Sequence, residues 1–249
     1  MRKFLYAISL LTLLAVTLCQ QTYAKGKSSK ETISSGNKQR TYYLFVPEIG
    51  DTQRKHPLLL LFHGSNRNGQ SLIDKWKDLA DKEKIIIAAP DSIDSPQWTI
   101  GKDGPDFLRD VVDALKAKYL IDERRVYLFG HSAGAGFAIY MSLYESEYFA
   151  AMAIHAGALP SEDYWVVDRA TRKIPMAIWV GDRDAFFPLK LVRGTRDALV
   201  SKGFSVELNE MPNHDHWYYD LAPKINRSAW EFLSKHQLAG DPQFKQYKY

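Results

Sequence analysis

The sequence predicts an α/β fold with a mainly parallel sheet of eight strands and helices on both faces. Short apolar runs alternate with longer amphipathic segments from residue 57 to residue 236, which is typical of a doubly wound sheet. The run at 57–62, Pro-Leu-Leu-Leu-Leu-Phe, is continuously apolar, as expected for a strand buried on both faces. The connections are short and no linker interrupts them. We therefore expect one domain over residues 31–240 and no large lid domain.

The elements follow from local patterns. Residues 31–34 and 40–46 alternate as two strands, and the intervening Ser35-Gly36-Asn37-Lys38 is typical of a hairpin turn. Further strands are predicted at 57–62, 84–89, 126–129, 151–154, 175–180 and 204–208. Helices are predicted at 70–82, 105–119, directly after the strand at 126–129, 189–202 and 221–236. Residues 157–173 are predicted to be irregular.

Residues 1–24 have the pattern of a secretory signal peptide. Two basic residues, Arg2 and Lys3, precede an apolar run at 4–18, and small residues at 22 and 24 favour cleavage after residue 24. The alternative, a membrane anchor, is weaker because about 15 apolar residues are fewer than the roughly 20 that a spanning helix needs. We therefore predict a secreted or periplasmic protein that is not inserted in a membrane after cleavage.

The remaining bulk properties are those of a globular domain. The single cysteine, Cys19, lies in the predicted signal peptide, so the mature chain would contain no disulfide. The net charge is +4 without a basic block, which argues against a nucleic-acid partner. Residues 25–30 are expected to form a mobile polar tail and residues 241–249 a C-terminal tail. The oligomeric state is left open.

The strongest functional signal is Gly130-His131-Ser132-Ala133-Gly134, between an apolar run and a helical segment. In the G-x-S-x-G motif a serine lies on a sharp turn from strand to helix, where its hydroxyl is exposed. The flanking glycines allow backbone to approach closely. Ser132 is therefore the candidate nucleophile, and the N–H of Ala133 is a candidate donor to an oxyanion.

The ends of other strands supply the partners, because ligand sites of such sheets lie beyond the carboxyl ends of the strands. The strand at 57–62 ends in His63-Gly64-Ser65. The N–H of Ser65 is the predicted second oxyanion donor. The strand at 175–180 is followed by Asp182 and Asp184. Both could orient a histidine, and Asp184 is preferred because it lies on the loop proper.

The general base is expected after the last strand, in the chain order Ser, Asp, His. His214 and His216 compete there; His216 is preferred, and His214 is assigned to the lining of the site. Reading His214-Asp215-His216 as a metal chelate is weaker because no other cluster has ligand spacing. We expect that no metal or organic cofactor is needed.

Several further residues are candidates for lining the substrate site, with packing as the alternative for Trp98 and His155. They are His63, Gly64, Trp98, His131, His155 and Trp217. The remaining histidines, His56 and His236, are expected at the surface.

Seven short motifs are distributed over residues 40–188. They are Arg-Thr-Tyr-Tyr-Leu-Phe-Val-Pro at 40–47, His-Gly at 63–64, Asp-Phe-Leu at 106–108, Tyr-Leu-Ile-Asp at 119–122, Arg-Val-Tyr at 125–127, Gly-His-Ser-Ala-Gly at 130–134 and the segment 181–188. With these motifs the sequence resembles, over about residues 31–236, the secreted α/β-hydrolase esterases of the polyhydroxybutyrate depolymerase, feruloyl esterase and acetylxylan esterase group. The resemblance implies nucleophile Ser132, acid Asp184 and base His216. One departure is Ala135, where many relatives have a second glycine.

These observations predict a serine carboxylesterase that hydrolyses feruloyl or acetyl esters of plant cell walls, or hydroxyalkanoate esters, through an acyl-enzyme. Two alternatives remain. A serine peptidase uses the same three residues on an amide, and a catalytically dead scaffold could bind carbohydrate. The sequence does not distinguish an ester of a small molecule from one of a polymer, and it does not identify the acid and alcohol parts.

Overall fold

The computed structural model describes residues 26–50 and 53–245, and this part of the chain contains a sheet of eight strands. The strands are β1 (Lys27–Ser35), β2 (Lys38–Val46), β3 (His56–Phe62), β4 (Ile86–Pro90), β5 (Ile121–His131), β6 (Ala151–His155), β7 (Met176–Gly181) and β8 (Val206–Met211). Their order is β1-β2-β4-β3-β5-β6-β7-β8. Among these eight strands of the described residues, the pairs β1/β2 and β2/β4 are antiparallel and the other neighbours are parallel. The predicted mainly parallel sheet of eight strands is thus confirmed.

Helices cover both faces of the sheet, and each face has its own apolar core. The helices are α1 (Gln70–Glu83), α2 (Ile100–Asp103), α3 (Pro105–Lys116), α4 (Ala133–Tyr144), α5 (Leu189–Ser201) and α6 (Ala222–Leu233), with a 3-10 helix at Ser161–Arg169. Helices α1 and α6 pack on one face, and α3, α4 and α5 on the other. Within the described residues, no helix has the length and apolar character needed to cross a bilayer.

The N-terminal hairpin is longer than predicted. Strand β1 begins at Lys27, so most of the expected polar tail at 25–30 is instead paired with β2, from Lys27 opposite Val46 onward. The sequence pattern missed this because residues 27–30 are exposed on both faces of an edge strand, where backbone pairing needs no apolar side chains. The turn has positive φ at Gly36 (55°) and Asn37 (60°), the geometry of a type I′ hairpin. The predicted signal peptide lies outside the described residues.

Two more elements differ from the prediction. Strand β5 starts at Ile121 rather than at 126, and Ile121 pairs with His56 of β3 before an irregularity in register. His56, expected at the surface, is buried there, and its Nδ1 lies 2.9 Å from the carbonyl oxygen of Lys84. The short helix α2 was not predicted because four residues are too few to show helical periodicity.

A buried ion pair holds α2 against the hairpin. The guanidinium of Arg40, in β2, lies 2.6 Å from the carboxylate of Asp103, and their side chains are 4% and 0% exposed. Asp103 also accepts hydrogen bonds from the N–H groups of Ile93 and Thr99, both at 2.8 Å. Asp103 therefore fixes the loop between β4 and α3.

Replacing Asp103 with asparagine should lower the free energy of unfolding by about 3–5 kcal/mol, because Arg40 would stay buried without a counter-charge. Urea denaturation followed by circular dichroism measures this. Asp94→Asn is the matched control, since Asp94 pairs with Lys102 at 2.9 Å in an exposed ion pair that should contribute little. Equal effects of the two substitutions would contradict the assignment of Asp103 as a structural anchor.

The strand order places a crevice next to β3. After β4, which lies on one side of β3, the chain crosses to β5 on the other side. Ligands bind where the direction of winding reverses in this way, beyond the carboxyl ends of the strands. The residues that follow β3 and β5, His63 and Ser132, therefore lie at the same edge of the sheet.

Candidate active site

Ser132 occupies a strained turn between β5 and α4. Its φ and ψ are 57° and −122°, a conformation that residues other than glycine rarely adopt. The N–H of Ser132 donates to the carbonyl of His155 at 3.1 Å, which holds the turn against β6. A Cβ at Gly130 would lie 2.2 Å from the carbonyl oxygen of Gly134. The small residues of the motif are thus a steric requirement of this turn.

Three side chains from three loops form one hydrogen-bonded chain. The Oγ of Ser132 lies 2.9 Å from Nε2 of His216, and Nδ1 of His216 lies 2.8 Å from Oδ2 of Asp184. The carboxylate can only accept, so Nδ1 carries the proton and Nε2 is free to accept from the serine hydroxyl. This proton arrangement is the one in which a serine can be deprotonated by a neutral imidazole.

Asp184 is held rigidly in a dry environment. Its side chain is 0% exposed, and Oδ1 accepts hydrogen bonds from the N–H groups of Phe186 and Phe187 at 2.9 and 2.8 Å. The competing residue, Asp182, is exposed on the same loop. The structure therefore places Asp184, and not Asp182, behind His216.

The loop after β8 reaches the site because β7 ends in glycine. A Cβ at Gly181 would lie 2.0 Å from the carbonyl oxygen of His214, so any larger residue would push this loop away from the sheet. The N–H of Arg183 also donates to that carbonyl at 2.9 Å. These contacts bring His216 over Ser132.

A solvent-open cleft of about 420 Å³ lies above the serine. Residues from four loops line it: Gly64, Ser65, Asn66, Arg67, His131, Ser132, Phe186, His216, Trp217 and Tyr219. Gly64, His131 and Trp217 are among the residues predicted to line the site. Asn66, Arg67, Phe186 and Tyr219 were not predicted, although each follows the end of a strand and the same positional rule would have selected them.

Of the two predicted oxyanion donors, Ser65 lines this cleft and Ala133 directly follows the lining residue Ser132. Ser65 lines it directly, on the loop after β3. Ala133 is the first residue of α4, where a helix has N–H groups without intrahelical acceptors and a partial positive charge. The two N–H groups remain the predicted donors to the oxygen of a carbonyl bound next to Ser132.

Two predicted lining residues instead support the loop after β3 from behind. His63 is 1% exposed; its Nδ1 lies 2.9 Å from the carbonyl oxygen of Gly64, and its Nε2 accepts from the N–H of Ser92 at 3.2 Å. Burial lowers the pKa of His63, which favours the neutral ring that accepts a hydrogen bond at Nε2. The indole N–H of Trp98 donates to the carbonyl of His63 at 2.9 Å, and the indole stacks on Phe137. Trp98 therefore packs against Phe137 and the loop after β3, the alternative to lining the substrate site.

His155 and His214 also lie behind the cleft, where they form a cluster with His131. His131 and His155 face each other on neighbouring strands, with their Nδ1 atoms 3.0 Å apart. The Nε2 atoms of His155 and His214 are 2.9 Å apart. All three residues are at most 7% exposed. We call this set the histidine cluster.

The histidine cluster stays neutral near pH 7. Burial, together with the smaller effect of neighbouring imidazoles, lowers the pKa of His131 to about 3 and that of His155 to about 2. Burial also lowers the pKa of His214. Each nitrogen–nitrogen contact needs one N–H donor and one lone pair. The tautomer of His155 therefore determines the tautomers of His131 and His214, and the two hydrogen bonds hold the three rings in place.

His214 and His216 therefore have different surroundings, although they are two residues apart. His214 contacts His155, whereas His216 contacts Asp184 and Ser132. The described ranges, 26–50 and 53–245, contain no group of three or more His, Cys, Asp or Glu side chains arranged to hold a metal ion.

The doubly wound sheet, with a serine on a sharp turn between a strand and a helix, defines an α/β-hydrolase. A family model described as phospholipase/carboxylesterase matches residues 106–236, which is more than half of the 249-residue chain. The chain therefore belongs to the phospholipase/carboxylesterase family. The resemblance to esterases that the sequence motifs indicated is thus confirmed.

Individual relatives are similar over parts of their length. A bifunctional acetylxylan esterase/xylanase of Neocallimastix patriciarum is 29% identical over 142 residues, covering 55% of this chain and 21% of the relative. A poly(3-hydroxybutyrate) depolymerase of Ralstonia pickettii is 27% identical over 166 residues, covering 57% and 32%. The chain thus spans a third or less of the length of these two relatives.

Among solved structures, a ferulic acid esterase of Anaeromyces mucronatus in complex with ferulic acid has the same fold. Its TM-score is 0.66 at 17% identity, and the superposition covers 87% of this chain and 93% of that one.

Proposed function

We propose that this protein is a serine carboxylesterase that hydrolyses its substrate through an acyl-enzyme. The observation that carries the proposal is the hydrogen-bonded chain from Ser132 through His216 to Asp184, which opens on the cleft. Membership of the phospholipase/carboxylesterase family supports the choice of an ester bond.

In the first half of the reaction, Oγ of Ser132 attacks the ester carbonyl while Nε2 of His216 takes the hydroxyl proton. The carbonyl oxygen becomes an oxyanion that the N–H groups of Ser65 and Ala133 stabilise. The C–O bond to the alcohol then breaks, and His216 returns the proton to the departing alkoxide. Asp184 stabilises the imidazolium form of His216 while it exists.

In the second half, a water molecule replaces the alcohol. His216 removes a proton from the water as its oxygen attacks the acyl carbon, and the same two N–H groups stabilise the second oxyanion. The bond to Ser132 breaks, and His216 reprotonates Oγ. The products are one alcohol and one carboxylic acid, and no atom is supplied by a metal or a cofactor in these steps.

The substrate class is proposed from the relatives and the cleft. Relatives named for acetylxylan and poly(3-hydroxybutyrate), and a structural neighbour with ferulic acid bound, favour feruloyl or acetyl esters of plant cell walls, or hydroxyalkanoate esters. The exposed rings of Phe186 and Trp217 suit stacking against a planar or carbohydrate group. The N-terminal pattern favours action in the periplasm or outside the cell.

Hydrolysis of p-nitrophenyl butyrate should exceed hydrolysis of the matched amide, butyryl p-nitroanilide, by several orders of magnitude in kcat/KM. Both compounds present the same acyl group to Ser132, so the comparison isolates the leaving atom. Release of the coloured product measures both rates, and Ser132→Ala supplies the background. Hydrolysis of the anilide clearly above the Ser132→Ala background would favour the peptidase alternative. Equal rates of ester hydrolysis for the unmodified protein and Ser132→Ala would contradict catalysis by Ser132. The kcat/KM values for methyl ferulate, acetylated xylan and hydroxybutyrate oligomers then show which acyl group the enzyme prefers.

A further inference from the structure

The residues that line the cleft carry positive charge and no negative charge. Arg67 is the single residue with a permanent charge among the ten that line it, and none of the ten carries a carboxylate. The carboxylate of Asp184, behind His216, already uses its oxygens for His216, Phe186 and Phe187. Arg67 itself forms no ion pair with any residue in the described ranges. The positive charge of Arg67 can therefore be balanced by an anion bound in the cleft.

Arg67 is placed by contacts that leave its N–H groups available. Its Cζ lies 5.4 Å from the ring centroid of Trp217 and 5.1 Å from that of Tyr219. These rings are themselves in contact, with centroids 5.0 Å apart. The backbone N–H of Arg67 donates to the carbonyl of Gly64 at 3.2 Å, which ties Arg67 to the loop that carries Ser65. Contacts with ring faces stabilise a guanidinium without using its hydrogen-bond donors.

We propose that Arg67 is a specificity-determining residue that selects esters carrying a free carboxylate on the same molecule. This inference rests on the proposed esterase function and names the charge of its substrate. A planar guanidinium can bind a carboxylate through two parallel N–H···O bonds. An oligomer of a hydroxy acid has this chemistry, because one end of it is a carboxylate. A neutral ester of the same size gains no such contact.

The test compares mono-p-nitrophenyl glutarate with its methyl-capped, neutral counterpart. For the unmodified protein we expect kcat/KM to be higher for the anionic ester, and this ratio should fall about tenfold in Arg67→Gln. Arg67→Lys keeps the charge but not the planar fork, so it should retain part of the preference. Lys38→Gln, at the exposed hairpin turn, is the control for net charge and should leave both rates unchanged. A second pair, 4-acetoxybenzoate and its methyl ester, places the carboxylate on the alcohol side.

The ionic strength gives an independent readout that needs no variant. The preference for an anionic ester should weaken as salt rises from about 0.01 M to about 0.5 M, because salt screens exposed charges. The proposal is overturned if the unmodified protein shows no preference in either pair, or if Arg67→Gln keeps the full ratio. If neither member of a pair is hydrolysed faster than by Ser132→Ala, the esterase function itself is wrong, which is a different outcome.

Discussion

Replacing Ser132 with alanine should lower kcat/KM for a short-chain p-nitrophenyl ester by on the order of 10⁴-fold or more. Alanine has no oxygen to attack the carbonyl, so only the N–H donors and the cleft remain. The fold should be little affected, because serine and alanine are similarly strained at a φ of 57°. Initial rates measure the first effect, and the melting temperature measures the second. A variant that keeps its activity would remove Ser132 from the mechanism.

His216 and His214 provide the matched comparison. His216→Ala should lose as much activity as Ser132→Ala, and the double variant should be no worse than either one, because residues that act as a unit are not additive. His214→Ala should lose far less, since His214 contacts His155 and not the serine. A larger loss in His214→Ala than in His216→Ala would transfer the role of the base to His214. Mass spectrometry after a fluorophosphonate reaction should locate the adduct on Ser132, and Ser132→Ala should show none.

Much of the fold was predictable because buried strands and helix faces have recognisable patterns of apolar residues. Strand β3 is apolar at nearly every position because both of its faces are covered, and the apolar spacing in α3 reflects one face against the sheet. Strand β1 was placed too late because its first four residues are exposed and are held by backbone pairing alone. Helix α2 depends on Asp103 and Arg40, which are far apart in sequence, so no local pattern indicates it.

The candidate site was predictable to the extent that it depends on strand ends. Ser132, Asp184 and His216 were selected because each follows a parallel strand, and such ends share one edge of the sheet. The histidine cluster was not predicted, since His155 and His214 meet only where the loop after β8 crosses Gly181. The position of Arg67 depends on ring contacts with Trp217 and Tyr219 from another loop. Spacing along the chain contains no information about contacts of this kind.

The histidine cluster should make the protein lose stability steeply as the pH falls below about 6.5. In the unfolded chain each histidine has a pKa of about 6.5, whereas burial lowers the pKa of His131 to about 3 and that of His155 to about 2. Between these limits the unfolded state binds protons that the folded state does not bind. The free energy of unfolding therefore falls with decreasing pH, by about 1.4 kcal/mol per pH unit for each such histidine.

Urea denaturation between pH 6 and pH 5 measures this slope, in a range where carboxylates still contribute little. The two histidines together predict about 3 kcal/mol per pH unit, and His63, His214 and His236, whose pKa values burial also lowers, act in the same direction. His155→Gln removes one titrating ring and should reduce the slope by about 1.4 kcal/mol per pH unit, whatever it does to stability at pH 7. Ile154→Val, on the same strand, is the control, because it lowers stability without changing proton uptake.

The outcome also bears on the proposed mechanism. His131 lies beside His216, with ring centroids 5.1 Å apart. A positive charge on His131 would oppose the imidazolium that forms on His216 during each turnover. Burial in the histidine cluster keeps His131 neutral, so Asp184 can stabilise that imidazolium without competition. If His155→Gln left the slope unchanged, His155 would already be charged in the folded protein, and this account of the neutral histidine cluster would be wrong.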